Sequence, residues 1–176
     1  MPDYLFQSQP TMTPAMLAEV TGLSTDMQRD WRRRGYIKLG TQQDNGRWLY
    51  DWYDAFHICL MRVLYDGGCE LAQANLFAAS LGEDVLTHAV AMRYPGLVIP
   101  QYRFHRIQKD ERGHPEHGYW LTIRFNNLAA QETKAFALVA DCLQLAKELP
   151  SAFDEPISNL RIVADMDPKA GDKPDG

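Results

Sequence analysis

The amino-acid sequence predicts an α+β fold, with helices and a polar hairpin in the first half and a β-hairpin and a helix in the second. Thr13-Pro14 is a typical helix start, and Ser24 is a typical N-cap for a second helix. Hydrophobic and polar residues alternate cleanly from Tyr119 to Phe125, which predicts a strand. The 176 residues suffice for one domain or two small ones, and apolar residues make up 45% of them, so a hydrophobic core is expected.

Two short helices are predicted near the N-terminus, joined by a tight turn as a helix-turn-helix. The first runs from Pro14 to the breaker Gly22, and the second follows the cap at Ser24, with Asp26 near its positive end. The side chains expected to face the core are Met16, Leu17, Val20, Leu23, Met27, Trp31 and Tyr36.

Positive charge is concentrated in one stretch of an acidic chain, whose net charge is −5. Between Arg29 and Arg47, five arginines and one lysine stand against two aspartates, a local excess of four (six minus two). Asn45-Gly46 predicts a tight hairpin turn at the end of this stretch. A basic helix followed by a basic hairpin suits a DNA duplex, because the helix can enter the major groove while the hairpin contacts phosphates.

One face of the second helix would meet such a duplex. It carries Asp26, Arg29, Asp30 and Arg33, at helical spacing. The same pattern is typical of a solvated face with intrahelical ion pairs. The sequence leaves both interpretations open, although the basic hairpin favours DNA.

Three more helices are predicted before residue 94. An amphipathic helix spans Asp51–Tyr65, and a shorter one spans Glu70–Leu81. Gly82 is expected to break the chain, and Glu83–Arg93 is expected to be helical again.

The second half begins with a predicted β-hairpin. Its strands are Leu97–Gln108 and Tyr119–Phe125, on either side of a charged turn, Lys109–Gly118. A lone hairpin is only marginally stable, so another element must cover it. The predicted cover is a helix over Leu128–Leu149.

The end of the chain is predicted to be largely irregular. A further strand is expected around Ile157–Val163. The polar segment Asp165–Gly176 has a composition typical of disorder. A pocket for an effector between the hairpin and the covering helix is a further hypothesis, with Tyr102, Trp120 and Phe136 as its lining.

The sequence offers no pattern typical of an enzyme, a metal site or a bound cofactor. Cys59, Cys69 and Cys142 are widely spaced and form no CxxC pair. His114-Pro-Glu-His117 lacks a partner ligand at diagnostic spacing, and neither a nucleophile elbow nor a phosphate loop is present. No apolar run is long enough for a membrane span and no signal peptide is evident, so a cytoplasmic protein is expected.

Several motifs occur in one order across Met16–Phe77. They are LAEVTGLS (Leu17–Ser24), Arg29, Trp31, RRGYI (Arg33–Ile37), NGRWLY (Asn45–Tyr50) and LYDGGCEL (Leu64–Leu71). In order and spacing this stretch resembles the MerR family of bacterial transcription regulators. The resemblance implies a winged helix-turn-helix that binds a palindromic promoter as a dimer.

The chain also departs from the family pattern. The family usually has a basic residue in place of Asp26 and an aromatic one in place of Asp30. Its wing usually reads NGYRLY, so Arg47 and Trp48 stand exchanged. Metal sensing is not implied, because the chain lacks the family's cysteines near the end of a long dimerisation helix.

Taken together, these patterns predict a MerR-like DNA-binding domain at 11–82, an α+β dimerisation or effector module at 83–164, and a disordered tail at 165–176. The expected function is transcription regulation by a homodimer bound to double-stranded DNA, with a small-molecule effector left open. The alternatives are an architectural, excisionase-type DNA-binding protein and a winged-helix module that binds proteins instead. The expected DNA contacts are Thr25, Arg29, Arg32, Arg33, Arg34, Lys38, Arg47, Trp48 and Tyr50.

Overall fold

A computed structural model describes residues 9–93, 99, 101–109, 115–125 and 138–158. Helices dominate these residues, and two small antiparallel sheets accompany them, so the class is α+β. The elements are α1 (Pro14–Thr21), α2 (Thr25–Arg33), β1 (Thr41–Gln42), β2 (Trp48–Leu49), α3 (Trp52–Asp66), α4 (Leu71–Ala91), β3 (Tyr102–Lys109), β4 (Pro115–Phe125), β5 (Leu138–Asp141), α5 (Cys142–Lys147), a 3-10 turn (Ser151–Phe153) and α6 (Asp154–Ser158).

The predicted boundaries of α1 and α2 are confirmed. The side chain of Thr13 caps α1 by accepting a hydrogen bond from the Met16 N–H at 3.3 Å. Gly22 ends α1 in the left-handed conformation, with φ of 68°. Ser24 caps α2 by accepting from the Met27 N–H at 3.3 Å.

The inward faces of these two helices differ in part from the prediction. Leu17, Leu23 and Trp31 are buried as expected, but Met16 and Met27 are 48% and 37% exposed. Gln28 of α2 is buried instead, which its polar side chain did not predict. Its Nε2 donates to the carbonyl oxygens of Pro14 at 3.0 Å and Leu23 at 2.9 Å, so the amide nitrogen is satisfied where α1 meets α2, whereas the buried Oε1 accepts no hydrogen bond from the described residues.

Helix α3 confirms the helix predicted over Asp51–Tyr65, and helix α4 replaces the two shorter helices predicted after it. Asp51 and Asp54 form a reciprocal capping box at the start of α3. The predicted break at Gly82 is wrong, because α4 runs through it without interruption. Gly82 is buried beside Leu81 and Val85, and the packing of this continuous apolar face outweighs the roughly 1 kcal/mol by which glycine weakens a helix. The domain boundary after residue 82, which stays a prediction, therefore falls inside a helix.

Both predicted hairpins have paired strands. β1 and β2 pair antiparallel, with Thr41 opposite Leu49. β3 and β4 also pair antiparallel, with Tyr102 opposite Phe125, and β4 starts at Pro115, inside the predicted turn. β3 is the central strand of a sheet with the order β4-β3-β5.

The predicted helix Leu128–Leu149 is wrong where the structure describes it before residue 142. Residues 138–141 form β5, whose Ala140 lies opposite Arg103 of β3. The helix begins only at Cys142, because Asp141 caps it by accepting from the Gln144 N–H at 2.9 Å. Ladder bonds to β3 thus override the helical periodicity of this segment.

The remaining predictions for this region fall partly outside the described residues. Ile157 and Ser158, where a strand was expected to begin, belong to α6. Residues 126–137, 159–163 and the tail at 165–176 lie outside the described part of the chain.

One hydrophobic core connects the first helices with the segment after β5. Phe153 is fully buried, and its ring centroid lies 5.7 Å from that of Trp52 and 6.1 Å from that of Phe56, both edge to face. Cys142 and Ala146 of α5 are buried in the same cluster. Among the described helices, none is long and apolar enough to cross a membrane.

Candidate nucleic-acid interface

The basic stretch presents most of its charge to solvent. Helix α2 supplies part of this surface, because Gln28 and Trp31 turn its other face to the core. The loop before β1 and the tip of the β1–β2 hairpin supply the rest. The exposed basic side chains are Arg29, Arg33, Arg34, Lys38 and Arg47, and we call them the basic surface.

Ion pairs connect the charges along α2. Nη1 of Arg29 lies 3.0 Å from Oδ1 of Asp26, and both side chains are largely exposed. Asp30 pairs with Arg33 at 2.7 Å and with Arg34 at 3.5 Å. The hydrogen bond from Arg33 is the main reason why the pKa of Asp30 lies below its ordinary value. Exposed pairs of this kind are weak, so these arginines can exchange a carboxylate for another anion at small cost.

Arg32 differs from its neighbours because it is engaged inside the protein. Its guanidinium lies 3.6 Å from the centroid of the Trp48 ring. Its Nη2 donates to the Leu39 carbonyl oxygen at 2.6 Å and to the Tyr50 hydroxyl at 3.1 Å. Arg32 thus joins α2 to both the loop and the hairpin.

Arg32 and Tyr50 were expected to contact DNA, but their side chains contact each other within the fold. Tyr50 is only 2% exposed, and its backbone is hydrogen-bonded to Met12 in both directions at 2.9 Å. Both polar groups are used within the fold. A tyrosine at the end of a strand and an arginine on a helix have the same sequence signature whether they face solvent or each other.

The exchange of Arg47 and Trp48 relative to the MerR pattern has a simple geometric counterpart. Trp48 is half-buried beneath Arg32, whereas Arg47 is exposed beside it. The tryptophan therefore packs on α2, and the positive charge at the neighbouring position points to solvent.

A cleft of about 570 Å³ separates α2 from the hairpin. Its lining includes Pro14 at the start of α1, Thr25 at the start of α2, and Arg47 and Trp48 of the hairpin. Arg29 also reaches this cleft. Two helix N-termini, which attract anions, and three arginines (Arg29, Arg32 and Arg47) thus line one concave surface.

Arg62 of α3 stabilises the position of α1 relative to α3, and the sequence patterns gave no sign of this role. Its Nη1 donates to the Thr21 carbonyl oxygen at 2.7 Å, at the C-terminus of α1. Its Nε lies 3.2 Å from Oδ2 of Asp66. Arg62 and Thr21 are 41 positions apart in the chain, so no short sequence motif could show their contact.

The other candidate sites receive little support or lie outside the described residues. The part of the chain that the structure describes holds no group of three or more metal-binding side chains. Burial raises the pKa of Cys59 to about 12, which leaves that thiol protonated and unreactive. Of the three residues expected to line an effector pocket, Trp120 and Phe136 lie outside the described side chains, and Tyr102 is half-buried.

Comparison with known proteins adds no family: no protein-family model matches the chain, and no curated protein is significantly similar to it.

Proposed function

We propose that this chain is a sequence-specific, DNA-binding transcription regulator of the MerR type, built on a winged helix-turn-helix and acting as a dimer. The observation that carries the proposal is the basic surface, which follows α2 and the hairpin and borders a cleft that two helix N-termini share. Duplex DNA presents phosphates on both sides of a groove wide enough for a helix, so it complements such a surface.

The residues of the basic surface fall into two groups, which contact bases and phosphates respectively. Arg29 and Arg33, with Thr25 at the start of α2, face the groove and contact base edges. Arg34, Lys38 and Arg47 flank them and contact phosphates, which fix the position of the protein without reading sequence. Arg32 and Tyr50 hold the hairpin against α2, and Trp48 packs against the guanidinium of Arg32.

A second candidate function rests on the ion pairs of α2. Because Asp26 and Asp30 already compensate three of the arginines, the surface could instead bind a protein of mixed charge. Such a module would keep the scaffold and bind no DNA. A DNA-binding protein that bends the duplex without choosing a sequence is the remaining alternative.

Selection from a pool of random duplexes at two salt concentrations separates these functions. A dimeric regulator retains duplexes with a palindromic consensus and loses affinity steeply as salt increases. An architectural protein retains duplexes without a consensus. A protein-interaction module retains none even at low salt, and that result would overturn the proposal.

Two substitutions then test how the basic surface is divided. Arg29→Ala should relax the consensus at one position in each half-site. Lys38→Ala should weaken binding to all duplexes about equally and flatten the salt dependence. Lys147→Ala, which removes an exposed charge on α5, is the control and should change neither. Unchanged affinity in both test variants would show that another face binds DNA.

A further inference from the structure

The sheet of the second half has a long outer edge on β4. The strand order is β4-β3-β5, so β4 pairs with β3 on one side only. After β4 the chain returns to the sheet on the far side of β3, as β5. Among the described residues, no strand pairs with the outer edge of β4. Its outward N–H and C=O groups form a template on which another strand can pair.

The composition of this edge does little to prevent such pairing. Edge strands of monomeric proteins usually carry charges, prolines or bulges that discourage other strands. In β4 the proline and the glycine lie at Pro115 and Gly118, and the shift in the pairing with β3 falls opposite this same end. The stretch Tyr119–Phe125 has neither residue, and Arg124 is its one charge.

The same stretch is complementary to itself in antiparallel orientation. If two copies meet with Thr122 opposite Thr122, then Tyr119 lies opposite Phe125, an aromatic pair. Leu121 then lies opposite Ile123, an aliphatic pair. Five of the seven positions from 119 to 125 thus meet a residue of a kind that pairs favourably across strands.

The remaining pair completes the match. Trp120 lies opposite Arg124, so the charge of the stretch meets an aromatic residue and not a second charge. Each pair joins two odd-numbered or two even-numbered residues. In an antiparallel pair only every second residue directs its N–H and C=O groups towards the partner strand, so this match lets the outward groups of both copies bond to each other.

We propose that two copies of this chain associate through β4, antiparallel and centred on Thr122, to form one six-stranded sheet with the order β5-β3-β4-β4-β3-β5. The two-fold axis runs through the sheet, so each face of one copy continues into the same face of the other. The alternating apolar row of β4 therefore extends across the interface instead of ending at an edge. This interface rests on the dimeric state of the proposed function and specifies how the dimer forms, but it uses none of the basic surface and does not depend on DNA binding.

Charge placed on the two-fold axis tests the interface. Thr122→Lys puts two like charges opposite each other in the dimer and leaves a tolerated edge residue in the monomer. We expect it to raise the dimer dissociation constant roughly tenfold or more, measured by sedimentation equilibrium. Thr122→Val, which keeps a β-branched residue, is the matched control and should leave the dissociation constant nearly unchanged.

Disulfide cross-linking tests the register itself, in this chain with the partly exposed Cys69 replaced by serine. Thr122→Cys should cross-link to its own copy on oxidation. Trp120→Cys should not, because its two copies lie about 13 Å apart along the strands, beyond the reach of a disulfide. An equimolar mixture of Trp120→Cys and Arg124→Cys should form a mixed cross-linked dimer.

The outcomes decide the proposal in each case. A chain that is monomeric at all concentrations overturns it, as does a dimer that Thr122→Lys does not weaken and that Thr122→Cys does not cross-link. If Thr122→Lys fails to fold, the cross-linking pattern decides alone. The result can also be told apart from DNA binding, because an unsubstituted chain that stays monomeric but still retains duplex DNA would contradict this interface and leave the basic surface intact.

Discussion

Arg32 is the residue on which the geometry of the candidate interface depends most. Its guanidinium stacks on Trp48 and donates to Leu39 and Tyr50, so a single side chain fixes the hairpin against α2. The neighbouring Arg33 has no such role, since 81% of its side chain is exposed. Two adjacent arginines thus differ in their contacts, although the sequence predicts that both contact DNA.

Replacing Arg32 should therefore loosen the hairpin. Arg32→Gln removes the stacking on Trp48 and the bonds to Leu39 and Tyr50, and we expect a loss of about 1–2 kcal/mol in the free energy of unfolding. Arg33→Gln is the matched control and should lose little. Urea unfolding measures both, and hydrogen exchange should show faster opening of residues 41–49 in Arg32→Gln. Equal stability of the two variants would contradict the role of Arg32.

His57 should make the stability of the fold depend on pH. Burial holds its pKa below the ordinary value of 6.5, and its Nε2 lies 3.1 Å from Oδ1 of Asn75. The unfolded chain thus binds the proton more readily than the folded one. The contribution of the neutral ring is complete above about pH 6.5 and is lost as the pH falls from there through the lower folded pKa.

His57→Gln removes this titration and keeps a polar group near Asn75. Its free energy of unfolding should fall less steeply than that of the wild type between neutral pH and about pH 5. Both proteins share every other titratable group, so the difference between two series of urea titrations isolates His57. Parallel curves would show that the imidazole does not titrate with folding.

At the scale of elements, the joint between α1 and α2 depends on one glycine. Gly22 has a φ of 68°, and a Cβ there would collide with the guanidinium of Arg62, the same group that donates to Thr21. Gly46 at the hairpin tip has a φ of 79° but open space around its Cα. The two positions share the backbone requirement and differ only in the neighbour.

Gly22→Ala should therefore cost more than Gly46→Ala. Both incur the roughly 1–2 kcal/mol of a left-handed alanine. Gly22→Ala should add about 0.5–1.5 kcal/mol, because the Arg62 guanidinium must move and lose its hydrogen bond to the Thr21 carbonyl oxygen. Thermal or urea unfolding of the two variants gives the difference. In an Arg62→Ala background the added cost should disappear, and its persistence there would rule out the clash as its cause.

The same scale shows what sequence patterns can and cannot predict. The starts of α1 and α2 depend on the caps Thr13 and Ser24, which lie beside the helices and can be identified from the sequence, and the amphipathic pattern of α3 predicts that helix. The uninterrupted α4 and the strand β5 depend on distant partners, since Gly82 is held by packing and residues 138–141 by β3. Exposed charges of the interface could be predicted, but the inward roles of Gln28, Arg32 and Tyr50 could not, because each is set by a partner elsewhere in the fold.

At the scale of the whole molecule, the segment after β5 completes the core of the first helices. Phe153 packs on Trp52 and Phe56, so α5 and α6 stabilise the same body that carries the basic surface. Phe153→Ala should lower the free energy of unfolding by about 3–5 kcal/mol. Leu76→Ala, at an exposed position of α4, is the control and should cost far less.

The shape of the unfolding transition matters as much as its midpoint. We expect circular dichroism of helices and tryptophan fluorescence to report one shared transition that shifts as a whole in Phe153→Ala. If residues 138–158 instead melted alone, with the earlier helices unchanged, the shared core would be contradicted.

We expect the basic surface to bind the phosphates of duplex DNA, and the salt dependence of binding measures this contact. The slope of log K against log salt should be steep for the wild type. The magnitude of this negative slope should decrease by roughly one for each of Lys38→Gln and Arg47→Gln. It should remain unchanged for Lys147→Gln. Equal slopes in all four proteins, or no binding even at low salt, would contradict this expectation.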